Sequence, residues 1–110
     1  MVYPKNKAYD IDTEELARFA KAMGHPARIN ILRFLASMDS CFFGDICQEL
    51  PIAKATVSQH LTELKNAGLI KGNVEGAAIC YCINETGFDK VKAFFKLVNS
   101  HLDDKRIQCC

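Results

Sequence analysis

The spacing of the apolar residues predicts a chain that is mainly helical. Leu16, Phe19 and Met23 recur at helical spacing behind Asp12, which we expect to cap a first helix together with Glu15. A Gly-His-Pro sequence ends this helix, and its proline suits the first position of the next one. Apolar residues continue at helical spacing in the segments that follow. The predicted helices cover residues 12–23, 26–37, 43–50, 55–67 and 85–103.

The period of the pattern changes near residue 68, where two strand-like runs follow. Residues 69–74 and 78–84 are rich in β-branched and aromatic side chains and are joined by Glu75-Gly76. Two such runs around a glycine-containing turn predict a β-hairpin.

This order of elements predicts an α+β, mainly α fold, namely a winged helix-turn-helix. Two helices joined by a tight turn precede a hairpin, and long helices stand at both ends. In that arrangement the second helix of the pair enters the DNA major groove and the hairpin forms a wing. The single domain 1–110 divides into a leader at 1–11, terminal helices at 12–23 and 85–103, the helix-turn-helix at 43–67, the wing at 69–84 and a cysteine-bearing tail at 104–110.

The second helix of the predicted pair carries a polar face of an uncommon kind. Its polar positions hold side chains that both donate and accept hydrogen bonds, where a solvated helix usually has Lys and Glu. These residues are Thr56, Ser58, Gln59 and His60. Such groups reach phosphates and base edges, and Gln pairs well with adenine. Lys54, Lys65 and Lys71 lie close by and would neutralise backbone phosphates. A plain solvated face is the alternative interpretation.

The composition describes one ordinary soluble domain. The 110 residues are 49% hydrophobic and 25% charged, with no apolar run of membrane-spanning length and no signal-like apolar start. We therefore expect a cytoplasmic protein with reduced thiols and no membrane partner. Because the net charge is only +1, any attraction of DNA has to come from a local basic surface. The sequence carries no catalytic triad, phosphate-binding glycine loop or metal-hydrolase motif, so we expect no enzymatic activity.

The stretches AKAMGHPARINILRFL and GDICQELPIAKATVSQHLTELKNAGLIKG, followed by YCIN, resemble the ArsR/SmtB family of metal- and stress-responsive repressors. The resemblance covers roughly residues 16–102. It implies a homodimer on an inverted-repeat operator of double-stranded DNA, released when an inducer binds, with wing contacts near Asn73 to Ala77. By position it implies recognition-helix contacts from Thr56, Ser58, Gln59 and His60. The chain departs from the family at Ala53, where a capping Ser is usual, and in the wing, which lacks the usual Arg.

The first and last helices carry more apolar area than one small core needs. The adjacent Phe94 and Phe95 point to different sides of the last helix. A terminal helix seldom buries both sides unless a partner covers one. We therefore expect the helices at 12–23 and 85–103 to hold a homodimer, as the resemblance also implies. The predicted interface residues are Leu16, Phe19, Met23, Phe94, Phe95 and Val98. The alternative is that one core absorbs all of these side chains.

Two sensor sites that are usual in the ArsR/SmtB family are incomplete in this chain. The thiolate site at the start of the third predicted helix needs two cysteines, and Phe42 and Gly44 stand in their places. The zinc site on the last helix keeps only a version of its later half, in His101 and Asp104. Because zinc prefers four ligands, we favour zinc less than a softer ion as inducer, and we expect no required cofactor.

The remaining candidates for an inducer site are the thiols of the tail. The adjacent Cys109 and Cys110 can turn both sulfurs toward one thiophilic ion, and some arsenite sensors of the family carry a similar pair. We expect As(III), Sb(III) or another soft metal ion as inducer. Three thiolates are the expected set for As(III) in such sensors. The third would come from Cys41, from Cys47 or from the partner chain.

Other interpretations of the six cysteines stay open. A disulfide between the tail pair and Cys41 would make the protein a redox or persulfide sensor. If instead the tail is frayed and its thiols have no role, the protein is a regulator that needs no ligand. Strand alternation places Cys80 and Cys82 together on the outward face of the hairpin, where small residues are tolerated; a second thiol site or a redox pair is the alternative. A winged helix used only for protein contacts is a further alternative.

Overall fold

Five helices and three strands form the computed structural model, which describes residues 9–39 and 41–105. The helices are α1 (Ile11–Met23), α2 (Pro26–Ala36), α3 (Phe43–Glu49), α4 (Lys54–Ala67) and α5 (Glu85–Lys105). The strands are β1 (Cys41–Phe42), β2 (Ile70–Glu75) and β3 (Ala78–Ile83). The α+β, mainly helical winged helix-turn-helix is confirmed, with α3 and α4 as the helix pair and the β2–β3 hairpin as the wing.

The first helix begins earlier than the sequence predicts. Its N-cap is Asp10, whose Oδ1 accepts a 2.7 Å hydrogen bond from the backbone amide of Thr13. The prediction of a capping box at Asp12 and Glu15 is wrong, because Asp12 already lies inside the first turn. Glu15 instead forms an ion pair with Lys90, which ties α1 to α5. Hydrogen bonding by Thr13, through its backbone first and its side chain second, lowers the pKa of the Asp10 carboxyl.

The recognition helix ends at a left-handed glycine, as the sequence indicates. Gly68 has φ 91°, and its amide donates to the carbonyl oxygens of Leu64 and Lys65. This reversal leads directly into β2. Gly87, near the start of α5, packs against the same turn, and a Cβ there would lie 2.1 Å from the carbonyl oxygen of Gly68. The contact fixes where α5 leaves the winged domain.

The strands form one antiparallel sheet in the order β1–β3–β2. The hairpin turns at Gly76, which has φ 63°. The short strand β1 is absent from the sequence prediction, and it places Phe42 opposite Cys80. Because β1 lies beside β3 and helices α2 and α3 pack against that strand, Cys80 is buried. The predicted outward position of Cys80 is therefore wrong, whereas its neighbour Ile79 is exposed.

One hydrophobic core lies between the helices and the inner face of the sheet. Its largest fully buried side chains are Ile31, Leu35, Ile46, Leu61, Leu64, Leu69, Ile70 and Val57. These residues come from α2, α3, α4, the turn after α4 and the start of β2, so the helix pair and the wing share one core. In the part of the chain that the structure describes, no helix is both long and apolar enough to cross a bilayer.

Candidate nucleic-acid interface

α4 turns an apolar stripe inward and a polar face outward. Val57, Leu61 and Leu64 are fully buried, since residues at these spacings share one side of a helix. The exposed side chains of its polar face include Thr56, Ser58, Gln59 and Thr62. The helix starts without a side-chain cap, because Ala53 at the N-cap offers no acceptor.

The hydrogen-bonding groups of this polar face are mostly unused. The hydroxyl of Thr62 donates to the carbonyl oxygen of Ser58 at 3.0 Å, which leaves the Thr62 oxygen able to accept. The side chains of Ser58 and Gln59 make no hydrogen bond to any other described residue. Exposed groups that both donate and accept can bind base edges and phosphates, so this face suits the DNA contacts that the sequence predicts.

His60 is the exception among the predicted contacts, and its placement on the polar face is wrong. Its exposed fraction is only 7%. Its Nδ1 accepts a 3.0 Å hydrogen bond from Nε of Arg28, and its ring lies 4.5 Å from that of His25. The helical spacing carries the signal that would have found this. Position 60 falls three residues after Val57 and four before Leu64, within the buried stripe.

Arg28 joins three helices around this buried histidine. Besides its bond to His60, its guanidinium donates to the carbonyl oxygen of Ala22 at 3.2 Å. His25, the N-cap of α2, uses its Nδ1 to accept the backbone amide of Ala27. Burial, followed by the neighbouring His25 and Arg28, lowers the pKa of His60. Since Nδ1 of His60 accepts a hydrogen bond from Arg28, the His60 ring is neutral in this arrangement.

The flanking cations and the wing surround the polar face. Lys54 and Lys65 are exposed on α4, while Lys71 and Asn73 are exposed on β2. The tip of the wing is also open to solvent, and Val74 there is 76% exposed. These positions are accessible to a duplex, and their contacts with DNA stay predictions.

Known proteins resemble both the helix pair and most of the chain. The profile described as bacterial regulatory protein, arsR family, matches residues 25–71, from the N-cap of α2 into β2. An uncharacterized HTH-type transcriptional regulator of Methanocaldococcus jannaschii is 40% identical over 86 residues, which cover 78% of this chain and 93% of that protein. The chain belongs to the arsR family of bacterial regulatory proteins. Its members are DNA-binding transcriptional regulators, so the chain is not an enzyme.

Two further proteins extend the comparison of this ArsR-family chain. The transcriptional repressor PagR of Bacillus anthracis is 33% identical over 98 residues, covering 89% of this chain and 95% of PagR. The solved structure of HlyU from Vibrio cholerae superposes with a TM-score of 0.67 at 25% identity, covering 84% of this chain and 96% of HlyU. HlyU has also been solved in a form named reduced HlyU. That structure superposes with a TM-score of 0.64 at 26% identity, covering 81% of this chain and 90% of HlyU.

The apolar residues predicted for a dimer of this ArsR-family chain fall into two groups. Phe19 is only 3% exposed and belongs to the chain's own core, so its assignment to a partner surface is wrong. Its ring lies against the α4–β2 turn, where a Cβ at Gly68 would be 3.6 Å away. Leu16, Met23 and Val98 are half-buried. By contrast, Phe94 and Phe95 are 41% and 56% exposed on α5, with their rings packed edge to face.

The cysteines predicted as ligands are only partly within the described structure. Cys109 and Cys110 lie outside the described residues, and Cys41 is described only as the first residue of β1, opposite Tyr81. Cys47 is half-buried on α3 and packs against the core. Within residues 9–39 and 41–105, no three side chains of His, Cys, Asp or Glu are grouped as metal ligands. The ligand set with the tail thiols therefore stays a prediction.

Proposed function

We propose that this ArsR-family regulator is a homodimeric cytoplasmic repressor, and that As(III), Sb(III) or another thiophilic ion releases it from an inverted-repeat operator. The observation that carries the repressor's DNA binding is the exposed face of Thr56, Ser58 and Gln59 on α4, beside an exposed wing. A relative that is named a transcriptional repressor, PagR, supports the sign of regulation.

The apolar surface of α5 supports the dimer. Phe94, Phe95, Leu97 and Leu102 are each at least 41% exposed. Contiguous apolar area of this kind on a terminal helix is usually covered by a partner. A two-fold axis through this surface would place two recognition helices about 34 Å apart, one turn of duplex, which an inverted repeat requires.

The adjacent thiols at the C-terminal end support the inducer. Cys109 and Cys110 follow α5 by a few residues, and thiolate-rich sites without histidine suit thiophilic ions. The third thiolate would come from Cys41 of the same chain or its partner, since Cys47 packs against the core. An ion held there would act on α5 and thus on the dimer. Coupling free energies of about 1–3 kcal/mol would change operator affinity from several-fold to about a hundredfold.

The decisive experiment is fluorescence anisotropy of labelled upstream-promoter DNA with reduced protein, titrated separately with arsenite and zinc. We expect tight binding without ions, release by arsenite, and no release by zinc at the same concentration. If neither ion changes DNA binding, the assignment as a repressor is kept and the metal inducer is rejected. A failure to bind any duplex at low salt would remove the repressor itself.

A thiol redox sensor is the second candidate, favoured by two observations. Cys47, Cys80 and Cys82 are free thiols in the described structure, and the related HlyU has been solved in a form named reduced. Release of the same labelled DNA by a persulfide or by dilute peroxide, with a disulfide from Cys41 to the tail found by mass spectrometry, would select this candidate over the metal sensor.

A further inference from the structure

The two long edges of the recognition helix differ in charge. Since successive helical residues are about 100° apart, Lys54 and Lys65 fall on one edge of α4. Thr56, Glu63 and Ala67 fall on the opposite edge, to which α4 itself contributes no basic side chain. The polar DNA-facing side lies between the edges. A major groove that receives this side would therefore meet cations of α4 along only one of its two phosphate backbones.

A cationic cavity lies along the edge that α4 leaves without positive charge. Its volume is about 510 Å³, and it opens to solvent between three helices. Its chemically relevant lining residues are Arg18 and Lys21 of α1, His25 and Arg28 of α2, and Glu63 and Asn66 of α4. Because Glu63 is the single carboxylate of the lining, the cationic groups outnumber the acidic one.

The basic groups of this cavity are available to a ligand. Arg18 and Lys21 are exposed one helical turn apart, and neither forms an ion pair within the described part of the chain. His25 accepts a backbone amide with Nδ1, so its Nε2 carries the hydrogen and can donate. Arg28 uses two of its five N–H groups on His60 and Ala22. Several charged or polar donors thus converge on one volume beside the recognition helix.

We infer that this cavity binds a phosphate of the DNA backbone, on the side of the major groove opposite Lys54 and Lys65. The major groove is about 12 Å wide and has a phosphate backbone on each side. Cations on both edges of α4 would hold the helix between the two strands and fix its register, while the bases are read by the face between. This inference rests on the DNA binding described above and adds Arg18 and Lys21 to the surface that performs it.

The test is the salt dependence of DNA binding by the double variant Arg18→Gln/Lys21→Gln, measured with operator and with random duplex DNA. Each phosphate contact contributes about 0.9 to the slope of log K against log salt. Since a dimer carries two such cavities and each binds one phosphate, we expect the slope to shrink by roughly 2 in the double variant. Operator and random DNA should lose the same fold of affinity, because phosphate contacts carry no sequence information.

Two further variants separate this role from a structural or general electrostatic one. Lys92→Gln/Lys96→Gln removes the same charge from exposed positions on α5 and should leave the slope unchanged. Arg18→Lys, which keeps the charge, should retain the wild-type slope. Thermal unfolding of the Arg18→Gln/Lys21→Gln protein should match the wild type, since neither side chain forms an ion pair with a described residue.

An unchanged slope in the double variant, with wild-type protein binding duplex DNA normally, would overturn the inference and leave the proposed function intact. Wild-type protein that binds no duplex at all would instead overturn the proposed function. Inorganic phosphate, followed by chemical shifts of residues 18–28, separates the two sources of the anion. A cavity that binds free phosphate while the DNA slope stays unchanged is a small-anion site, and that result also overturns the inference.

Discussion

Arg28 on α2 donates from Nε to the Nδ1 of His60 on α4 across 3.0 Å, and the same guanidinium donates to the carbonyl oxygen of Ala22 at the end of α1. The bond is partly buried, so each partner depends on the other for its hydrogen bonding. His60 lies one residue beyond Gln59, which is exposed. The pair therefore anchors the inner side of the helix whose outer side faces DNA.

Acid should weaken the folded protein through His60. Its pKa is lowered in the fold from an ordinary 6.5, by burial first and then by the charges of His25 and Arg28. Below pH 6.5 the unfolded chain binds a proton that the folded chain binds less readily, so stability falls until the pH passes the folded pKa. Above pH 6.5 this histidine adds no pH dependence. Urea unfolding between about pH 5 and about pH 8, the range in which histidine titrates, measures the effect.

His60→Gln tests the assignment, because it keeps an acceptor for Arg28 and removes the titration. Stability of this variant should depend less on pH than that of the wild type. His101→Gln is the matched control, since His101 is exposed on α5. Other charged groups lie near His60 and contribute to the pH dependence of stability in both proteins. They are Arg18 and Lys21 on α1, His25 and Arg28 on α2, and Glu63 on α4. Identical pH profiles for His60→Gln and wild type would refute the prediction.

Gln59→Ala should weaken operator binding more than random-DNA binding. The Gln59 side chain is exposed and makes no hydrogen bond within the described structure, so its amide is available for a base edge. A bidentate contact to adenine discriminates by about 1–3 kcal/mol. Competition anisotropy with both DNAs measures the difference, and Asn99→Ala on α5 provides a control for the loss of an exposed amide. An equal loss on both DNAs would make Gln59 a phosphate contact.

Gly87→Ala should strongly destabilise the fold. A Cβ at this position would lie 2.1 Å from the carbonyl oxygen of Gly68, and because that atom belongs to the backbone of a left-handed turn it cannot easily move. We expect a loss of about 3 kcal/mol in the free energy of unfolding. Gly44→Ala is the control, since nothing lies within 4 Å of its Cβ position and alanine favours helix. Equal stabilities for the two variants would contradict the close contact.

Phe95→Glu should convert the dimer to monomers. Phe95 is 56% exposed within one chain, so a charge there costs little unless a partner covers the position. Sedimentation velocity at micromolar concentration measures the oligomeric state. Met38→Glu offers a control of similar exposure, at 50%, in the turn after α2. A dimer that survives Phe95→Glu would place the interface elsewhere.

Replacing Cys109 and Cys110 together with serine should preserve DNA binding and abolish release by arsenite. Serine keeps the size of the side chain but offers no thiolate to a soft ion. The anisotropy titration with promoter DNA measures both properties, with Cys82→Ser as the control that should still respond. Loss of DNA binding in the double variant would show that the tail supports the fold or the dimer instead of sensing.

Local pattern determined much of the architecture. The stripe of Val57, Leu61 and Leu64 predicted α4, and Gly68 predicted its end, because helical periodicity and left-handed backbone are properties of neighbouring residues. The strand β1 escaped prediction because two residues carry no period of their own. Cys41 and Phe42 become a strand only by pairing with β3, which lies about 40 residues further along the chain, a distance that local patterns do not span.

Signals carried by neighbouring residues were enough to predict the winged helix-turn-helix, the polar face of α4 and the membership in a family of DNA-binding regulators. Which polar residues face outward depended on tertiary packing. His60 resembles its neighbours in type, yet Arg28, 32 residues earlier, supplies the partner that allows it to be buried. Likewise, Phe19 joins the core and Arg18 and Lys21 line a cavity beside α4 because packing of α1 against α4 brings them there. Burial and charge depend on contacts between distant segments, and those contacts exist only once the chain has folded.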